Sequence, residues 1–329
     1  MDQERPILFT FEETWRRLAE HKPQLREDLR PALFDPSGVT APALLDPQGP
    51  PVIGLLHTDG YLGGHAGEFL DRCASLPNLV WLQSGSAGLD DPRFAEIARN
   101  GATITRNDAQ ASSIAEVIVG RVLDRFQNGA ARRHANWERN WMQRSFSEIK
   151  GSRWVIVGHG AIGGELAQRV RAFGGHVTGI RRSPGGPKNH ADEILPPGKL
   201  EGALRSADVV VLLLPLKDDT EGFADAAFFG RMKQGSTLCN FGRGGLVVEK
   251  DLLEALEAGR PDFAILDVFG TEPLPADSPL WTHPQVDVSP HNSGMGDGLA
   301  GRTDAVFLEN LAAWQEGRAL RLVAGRDLF

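Results

Sequence analysis

The chain has 329 residues, enough for two domains, and its 41% hydrophobic and 24% charged residues are typical of a folded globular protein rather than a disordered one. A net charge of −8 argues against nucleic acid or an anionic membrane surface as the main partner. No apolar run approaches the length of a membrane span, and the charged N-terminus lacks the layout of a signal peptide. Two cysteines, Cys73 and Cys239, are too few for a disulfide framework or a cysteine-based zinc site. We therefore expect a reduced, cytoplasmic location.

The first hundred residues predict a domain of alternating helices and strands. An amphipathic stretch covers residues 11–29, and a proline-rich run follows to Pro51. Strands are predicted at 52–56, 79–82 and 102–105, with a helix at 71–76. After the second of these strands comes a loop of small residues, QSGSAG (83–88), which must lie open or pack closely against a neighbour.

A long helix and a polar segment come next. Ser112 or Ser113 can cap the helix, whose apolar positions continue to Phe126. The polar segment, residues 128–150, carries two tryptophans but fits the core pattern of neither domain. Two interpretations stay open: an arm whose tryptophans, Trp137 and Trp141, contact another subunit, or a surface helix packed on its own domain.

The most informative stretch is RWVIVGHGAIGG, which begins at Arg153. An apolar strand leads into a glycine turn, and a helical pattern follows over residues 162–173. The first glycine allows the tight turn, the second lets the backbone approach a pyrophosphate, and the third lets the helix pack close to the strand. Strand, turn and helix in this order favour dinucleotide binding over a merely structural turn. The predicted cofactor-binding residues of the turn are Gly158, Gly160, Ala161, Ile162 and Gly163.

From residue 153 onward, strands and helices alternate regularly. Strands are predicted at 154–157, 176–180, 209–214, 236–241, 263–268 and 286–289, and helices at 162–173 and 249–258. Such alternation predicts a doubly wound parallel sheet, in which ligands bind outside the carboxyl ends of the strands.

The residues after the second of these strands indicate which dinucleotide is bound. An NAD-binding unit carries an acidic residue there for the adenine ribose hydroxyls, whereas this chain has Arg181, Arg182 and Ser183. Because guanidinium groups can pair with a 2′-phosphate that a carboxylate would repel, NADP(H) is favoured over NAD(H). The alternative is that both arginines are solvated surface charges.

Three ionisable residues stand just past the ends of three successive predicted strands: Arg243, Glu272 and His291. Parallel strands bring these positions to one edge of the sheet. Arg243 could hold a carboxylate and a ketone oxygen through its fork of donors, and His291 could supply a proton near neutral pH. Glu272 would favour and orient the imidazolium. Each residue alone also has a structural interpretation, as a surface pair, a turn cap or a backbone-bonded histidine.

Several separated motifs together resemble the D-isomer-specific 2-hydroxyacid dehydrogenase family. They are the glycine turn 158–163, SIAE (113–116), the stretch from Pro215 to Thr220, NFGRGG (240–245), DVFGTEP (267–273) and SPH (289–291). The match covers most of the chain from about Trp81 onward, whereas the part before it matches only loosely.

The resemblance implies two Rossmann-like α/β domains with doubly wound parallel sheets. A dinucleotide-binding domain at 108–290 would be inserted into a substrate domain formed by 1–107 and 291–329, and the cleft between them would close over substrate. Family members are usually dimeric, with residues 128–150 as a candidate contact.

The resemblance also implies roles for particular residues. Arg243, Glu272 and His291 would form the catalytic set, with Arg243 and His291 also contacting the substrate. The backbone N–H groups of Ser86, Ala87 and Gly88 would receive the substrate carboxylate. Asp267 would help to place the nicotinamide carboxamide, and Pro215 and Thr220 belong to the predicted cofactor site. His57 and Tyr61, beyond a predicted strand, either line the pocket or are structural.

The sequence departs from the family pattern at two places. Arg181 stands where NAD-using members carry an acid, and in this feature the chain resembles the NADPH-dependent glyoxylate and hydroxypyruvate reductases. The second departure is the sequence after His291, Asn292-Ser293-Gly294, which has no evident effect. The leading hypothesis is a reductase that transfers a hydride from NADPH to a small 2-oxo acid and gives the D-2-hydroxy acid. The alternative is a dinucleotide-sensing protein similar to the corepressors of this superfamily. A formate-dehydrogenase-like activity is disfavoured, because that relative lacks the partner present here as Glu272.

Overall fold

The computed structural model describes residues 5–37, 41–183 and 187–325. The chain divides into two compact units, the first formed by residues 1–110 and 297–329 and the second by residues 111–296. The predicted domain boundaries, after residues 107 and 290, lie a few residues before the boundaries of these units, after residues 110 and 296. The loop that carries His291 stays with the second unit because the His291 N–H donates to the Asp267 carbonyl oxygen (2.8 Å).

The first unit contains a parallel five-stranded sheet, with strand order β2-β1-β3-β4-β5 among the described residues. Its strands are β1 (Ile7–Thr10), β2 (Arg30–Leu33), β3 (Val52–Leu56), β4 (Leu79–Ser84) and β5 (Thr103–Thr105). Its helices before residue 111 are α1 (Glu12–His21), α2 (Leu25–Asp28), α3 (Thr58–Leu62), α4 (Ala66–Ser75) and α5 (Pro92–Arg99). The predicted amphipathic stretch at 11–29 is thus two helices, separated at Lys22–Gln24, where Pro23 cannot continue the helical hydrogen bonds.

Both faces of this sheet are covered by apolar side chains. On one face the rings of Phe9 and Phe69 stack with centroids 4.7 Å apart. On the other face lies a C-terminal helix, Leu299–Gln315, whose Phe307 stacks on Trp81 at 5.6 Å. Burial on both faces explains why strand β1 is wholly apolar apart from Thr10, whose hydroxyl donates to the Leu55 carbonyl oxygen.

The second unit contains a parallel seven-stranded sheet, with strand order β12-β11-β10-β9-β6-β7-β8 among the described residues. Its strands are β6 (Arg153–Val157), β7 (His176–Ile180), β8 (Glu193–Leu195), β9 (Val209–Leu212), β10 (Thr237–Asn240), β11 (Phe263–Leu266) and β12 (Val286–Val288). Its helices are α6 (Ala111–Phe126), α7 (Gly129–Trp137), α8 (Ala161–Ala172), α9 (Leu200–Leu204), α10 (Ala226–Arg231) and α11 (Glu249–Glu257). The strand order reverses between β6 and β9, which is the point where a doubly wound sheet binds its ligand.

The two parallel sheets confirm the predicted fold class, two Rossmann-like α/β domains. Central strands β6 and β9 are almost wholly buried, as expected for a parallel sheet covered by helices on both faces. Helix α6 already begins at Ala111, so the prediction that Ser112 or Ser113 caps it is wrong. Ser112 instead accepts a hydrogen bond from Arg169 (2.6 Å) on α8.

The polar segment at 128–150 is a short helix followed by irregular chain. Its tryptophans are the most exposed large apolar side chains described, Trp137 at 84% and Trp141 at 90%. Among the described residues, no helix is both long enough and apolar enough to cross a bilayer.

Candidate active site

The glycine turn between β6 and α8 has the geometry of a phosphate cradle. Gly158 has φ +90°, and a Cβ on it would lie 2.7 Å from the Leu213 carbonyl carbon. A Cβ on Gly160 would meet only the Gly158 oxygen at 4.0 Å, so the space above this residue is open. Helix α8 begins at Ala161, with Ile162 and Gly163 in its first turn, so its first N–H groups face the turn. These residues therefore fit a dinucleotide pyrophosphate.

Sequence reasoning missed the second residue of the turn, His159. Its side chain is 2% exposed, and its Nε2 lies 3.0 Å from the Lys188 oxygen and 3.2 Å from the Asn189 oxygen. Burial lowers the pKa of His159, against the opposing effect of these backbone hydrogen bonds. The imidazole is therefore neutral at pH 7 and donates through Nε2. No periodicity or spacing in the sequence distinguishes this histidine from an exposed one.

The arginines expected to select the dinucleotide directly follow β7. Arg181 donates from Nη2 to the Pro187 oxygen (2.8 Å), and its Nε is buried without a partner among the described residues. Arg182 is exposed and forms an ion pair with Asp219. Ser183 follows at the surface, and residues 184–186 lie outside the described chain. The two arginines thus differ, since only Arg182 already has an acidic partner.

The stretch from Pro215 to Thr220 forms a closed turn after β9. Thr220 is buried, and its hydroxyl oxygen accepts from the Lys217 N–H (2.8 Å) and lies 2.8 Å from the Pro215 oxygen. Pro215 and Thr220 therefore shape the loop at the carboxyl end of β9, the strand whose following residues, Leu213 and Leu214, lie against Gly158 of the glycine turn.

Arg243 follows β10 in a loop held by the buried side chain of Asn240. The Asn240 amide donates to the Arg243 carbonyl oxygen (3.0 Å) and accepts from the Gly242 N–H (3.2 Å). A Cβ on Gly244 would overlap the backbone of Phe269 and Gly270, so the Arg243 loop and the Glu272 loop touch backbone to backbone. Only glycine at position 244 permits this approach.

Glu272 and His291 form a hydrogen-bonded ion pair. Glu272 Oε2 lies 2.7 Å from His291 Nδ1, and Glu272 Oε1 accepts from the Phe269 N–H (3.0 Å). The carboxylate is thus fixed by backbone on one side and fixes the imidazole on the other. Because Nδ1 faces the carboxylate, Nε2 of this half-exposed side chain is the nitrogen that can exchange a proton with a ligand.

Asp267 holds the loop on which His291 sits. Its carboxylate is 1% exposed and accepts from the Ser289 hydroxyl (2.7 Å), from the backbone N–H groups of Asn292 and Ser293 (both 3.3 Å) and from the Ser293 hydroxyl. These bonds keep His291 in the left-handed backbone region, at φ +48°. The variation after His291 thereby gains a structural effect, because Ser293 supplies a side-chain donor to Asp267.

The loop expected to receive a carboxylate lies in the first unit, after β4. The Ser86 N–H donates to the Ser84 hydroxyl (3.1 Å), and the Gly85 carbonyl oxygen accepts from the Gln110 side chain (2.8 Å). Within the described part of the chain, the N–H groups of Ala87 and Gly88 donate no hydrogen bond. These two donors are therefore available to a ligand.

His57 and Tyr61 have structural partners in the first unit. His57 is fully buried, with Nε2 3.1 Å from an oxygen of Asp304, which also accepts from Arg17 (2.7 Å). Although burial alone would raise the pKa of Asp304, the hydrogen bonds from His57 and Arg17 hold it below its ordinary value. Tyr61 bonds the Ser84 hydroxyl (3.1 Å), and burial raises its pKa to about 12.

Comparison with known proteins places this geometry in a family. The family model for the NAD binding domain of D-isomer specific 2-hydroxyacid dehydrogenases matches residues 119–293. Glyoxylate/hydroxypyruvate reductase A of Serratia proteamaculans is 39% identical over 139 residues, which cover 41% of this chain and 43% of that protein. A crystal structure of a D-isomer specific 2-hydroxyacid dehydrogenase family protein from Aeromonas salmonicida superposes with a TM-score of 0.80 at 28% identity, covering 98% of this chain and 99% of the other.

A second solved structure shares the fold. It is an NADPH-dependent glyoxylate/hydroxypyruvate reductase from Sinorhizobium meliloti in complex with NADP and sulfate, with a TM-score of 0.79, 24% identity and 99% of both chains covered. The family model alone spans more than half of this chain, and it ends just after the Glu272–His291 pair. The chain is therefore a member of the D-isomer specific 2-hydroxyacid dehydrogenase family.

Proposed function

We propose that this dehydrogenase reduces a small 2-oxo acid of the glyoxylate or hydroxypyruvate type with NADPH and gives the D-2-hydroxy acid. The observation that carries the proposal is the Glu272–His291 pair at 2.7 Å, beside a loop that presents Arg243. The 39% identity to the Serratia glyoxylate/hydroxypyruvate reductase, over the aligned 139 residues, supports the choice of substrate class.

The residues of this chain account for the charges that develop in such a reduction. When bound, the reduced nicotinamide supplies a hydride to the carbonyl carbon, which leaves a negative charge on the carbonyl oxygen. His291 then transfers its Nε2 proton to that oxygen and becomes neutral. Glu272 holds the ring through Nδ1, so that Nε2 is the nitrogen left to face the substrate.

Arg243 anchors and polarises the substrate in this proposal. Its planar guanidinium can bond the carboxylate and the ketone oxygen at once, which stabilises the developing oxyanion. In the first unit, the N–H groups of Ala87 and Gly88 have no acceptor among the described residues, and we propose them as further donors to a carboxylate. The role of Asp267 toward the nicotinamide stays a proposal beside its observed contacts with the His291 loop.

We also propose that Arg181 selects NADPH by pairing with its 2′-phosphate. The Sinorhizobium neighbour is described with NADP bound, and here the three residues that follow β7, Arg181 to Ser183, include no acid. Arg181→Ala is expected to raise KM for NADPH by roughly ten- to a hundredfold, the equivalent of a lost charge-assisted hydrogen bond, and to leave KM for NADH nearly unchanged. Steady-state kinetics with both cofactors measure this.

Arg182→Ala is the matched control, because its guanidinium already pairs with Asp219. We expect this variant to change KM for NADPH less than threefold, in line with the small contribution of an exposed ion pair. Equal effects of Arg181→Ala on the two cofactors would show that Arg181 does not contact the 2′-phosphate.

For the assembly we propose a homodimer in which residues 128–150 form the contact. The exposed rings of Trp137 and Trp141 support this choice over a helix packed on its own unit. Trp137→Ser combined with Trp141→Ser is expected to shift the protein from dimer to monomer at micromolar concentration in sedimentation velocity runs. A wild-type protein that sediments as a monomer would contradict the proposal.

A further inference from the structure

We propose that His159 is a positioning residue for cofactor choice, because it fixes residues 187–190 and, through them, the guanidinium of Arg181. The proposal rests on the proposed role of Arg181 toward the 2′-phosphate. His159 acts through backbone carbonyl groups and makes no contact with the phosphate in this account.

The imidazole of His159 fills a space that two glycines leave. A Cβ on Gly179, in strand β7, would lie 2.7 Å from His159 Cγ, and a Cβ on Gly163, in helix α8, would lie 2.7 Å from His159 Nδ1. Any side chain at those positions would push the ring out. The ring is therefore held between strand β7 and helix α8, beside the glycine turn to which His159 belongs.

From this position the ring reaches the chain that follows the Arg181 strand. Its Nε2 faces the carbonyl oxygens of Lys188 and Asn189 at 3.0 and 3.2 Å. Asn189 and His190 both have left-handed backbones, with φ +42° and +66°, a conformation that is uncommon for non-glycine residues and that contacts with the surroundings stabilise. The His159 hydrogen bonds are among these contacts.

Pro187 connects this segment to the cofactor site. Its carbonyl oxygen accepts from Arg181 Nη2 at 2.8 Å, one residue before the carbonyl that His159 holds. Arg181 Nε is buried without a partner among the described residues, so this contact is a main determinant of where the guanidinium lies. A shift of residues 187–190 would therefore move the guanidinium away from a 2′-phosphate.

The histidine is suited to this task because it is neutral. Burial is the main reason why the pKa of His159 is lowered, and the nearby Arg181 and His190 lower it further. Nδ1 is buried without a partner among the described residues, so a proton there would have no acceptor. The neutral ring donates to the carbonyls and adds no charge that would compete for the phosphate.

The test compares His159→Leu with His159→Gln, whose Nε2 group can donate to the same carbonyls. For the leucine variant we expect KM for NADPH to rise about fivefold or more, KM for NADH to change less than twofold, and kcat to stay within twofold. The glutamine variant should recover most of the NADPH affinity. Equal changes with both cofactors, or none, would overturn the proposal. Should the leucine variant not fold, His159→Phe takes its place.

Val210→Ala is the control for simple loss of stability. Val210 is fully buried in strand β9, within the apolar core, and makes no contact with residues 187–190 in the described hydrogen-bond network. We expect this variant to lower Tm without changing the ratio of the two KM values. A ratio that changes as much as in His159→Leu would overturn the positioning role.

Hydrogen exchange tests the positioning role of His159 independently of the proposed role of Arg181 in NADPH preference. The Ala191 N–H donates to the Lys188 oxygen (3.0 Å), so its protection reports the order of the segment in the absence of any cofactor. We expect faster exchange at Ala191 in His159→Leu than in wild type and His159→Gln. Unchanged exchange at Ala191 in His159→Leu would overturn the positioning role. If exchange is faster in His159→Leu but the wild-type enzyme prefers NADH, only the role of Arg181 is overturned.

Discussion

Replacement of Arg243 by alanine is expected to lower kcat/KM for a 2-oxo acid by at least a hundredfold. Arg243 is the cation placed beside the Glu272 loop by the close approach at Gly244, and its fork of donors would contact both the carboxylate and the reacting oxygen. A charge-assisted anchor that also stabilises the transition state contributes several kcal/mol. Since each 1.36 kcal/mol corresponds to about tenfold in rate, its loss should cost at least a hundredfold.

Arg243→Lys should recover only a small part of the lost rate, because an ammonium group cannot bond both oxygens in one plane. Arg260→Ala is a suitable control, since Arg260 bonds the Gln234 side chain at the surface of the same unit. We expect it to retain wild-type kinetics. Turnover by Arg243→Ala within about tenfold of wild type, with Tm unchanged, would show that Arg243 is not the anchor.

His291→Gln is expected to lower kcat for reduction by roughly a hundred- to ten-thousandfold, the range found for loss of a positioned general acid. Stopped-flow measurement of cofactor oxidation by a 2-oxo acid measures this loss.

Glu272→Gln serves as the companion variant, because it keeps a hydrogen-bond acceptor beside His291 Nδ1 but removes the negative charge. The rate of reduction should then fall, since the group that holds His291 Nδ1 has lost its negative charge. A wild-type rate in His291→Gln would contradict the assignment of His291 as the acid, and a wild-type rate in Glu272→Gln would contradict the role of the Glu272 carboxylate.

The regular part of the fold could be predicted from the sequence because its signals are local. The strand at 153–157, the glycine turn and helix α8 each follow from residues adjacent in the chain. The sequence did not predict strands β1, β2 and β8. β2 has the sequence RPAL, which contains a proline, and β8 is only three residues long. β2 and β8 lie at the edges of the described sheets, where pairing with one neighbour decides the structure, whereas β1 lies between β2 and β3 and has only four residues.

The pairing of Glu272 with His291 could be predicted from strand ends alone. Glu272 and His291 follow β11 and β12, which are neighbours in a parallel sheet, and the carboxyl ends of neighbours meet. The supporting contacts could not be predicted in the same way. They depend on which distant residues the fold brings together. Examples are the hydrogen bond between Asp267 and Ser293 and the packing of His159 between Gly163 and Gly179.

The most direct test of the whole account is the loss of reduced-cofactor absorbance with glyoxylate, hydroxypyruvate, pyruvate and phenylpyruvate, using NADPH and NADH in parallel. We predict faster turnover with NADPH than with NADH, and faster turnover of the two small acids than of phenylpyruvate, with D-glycerate formed from hydroxypyruvate. Equal or better rates with NADH would contradict the role of Arg181 but not the proposed reduction of a 2-oxo acid. Tight dinucleotide binding without turnover of any of the four acids would contradict the proposed reductase and favour a sensing role.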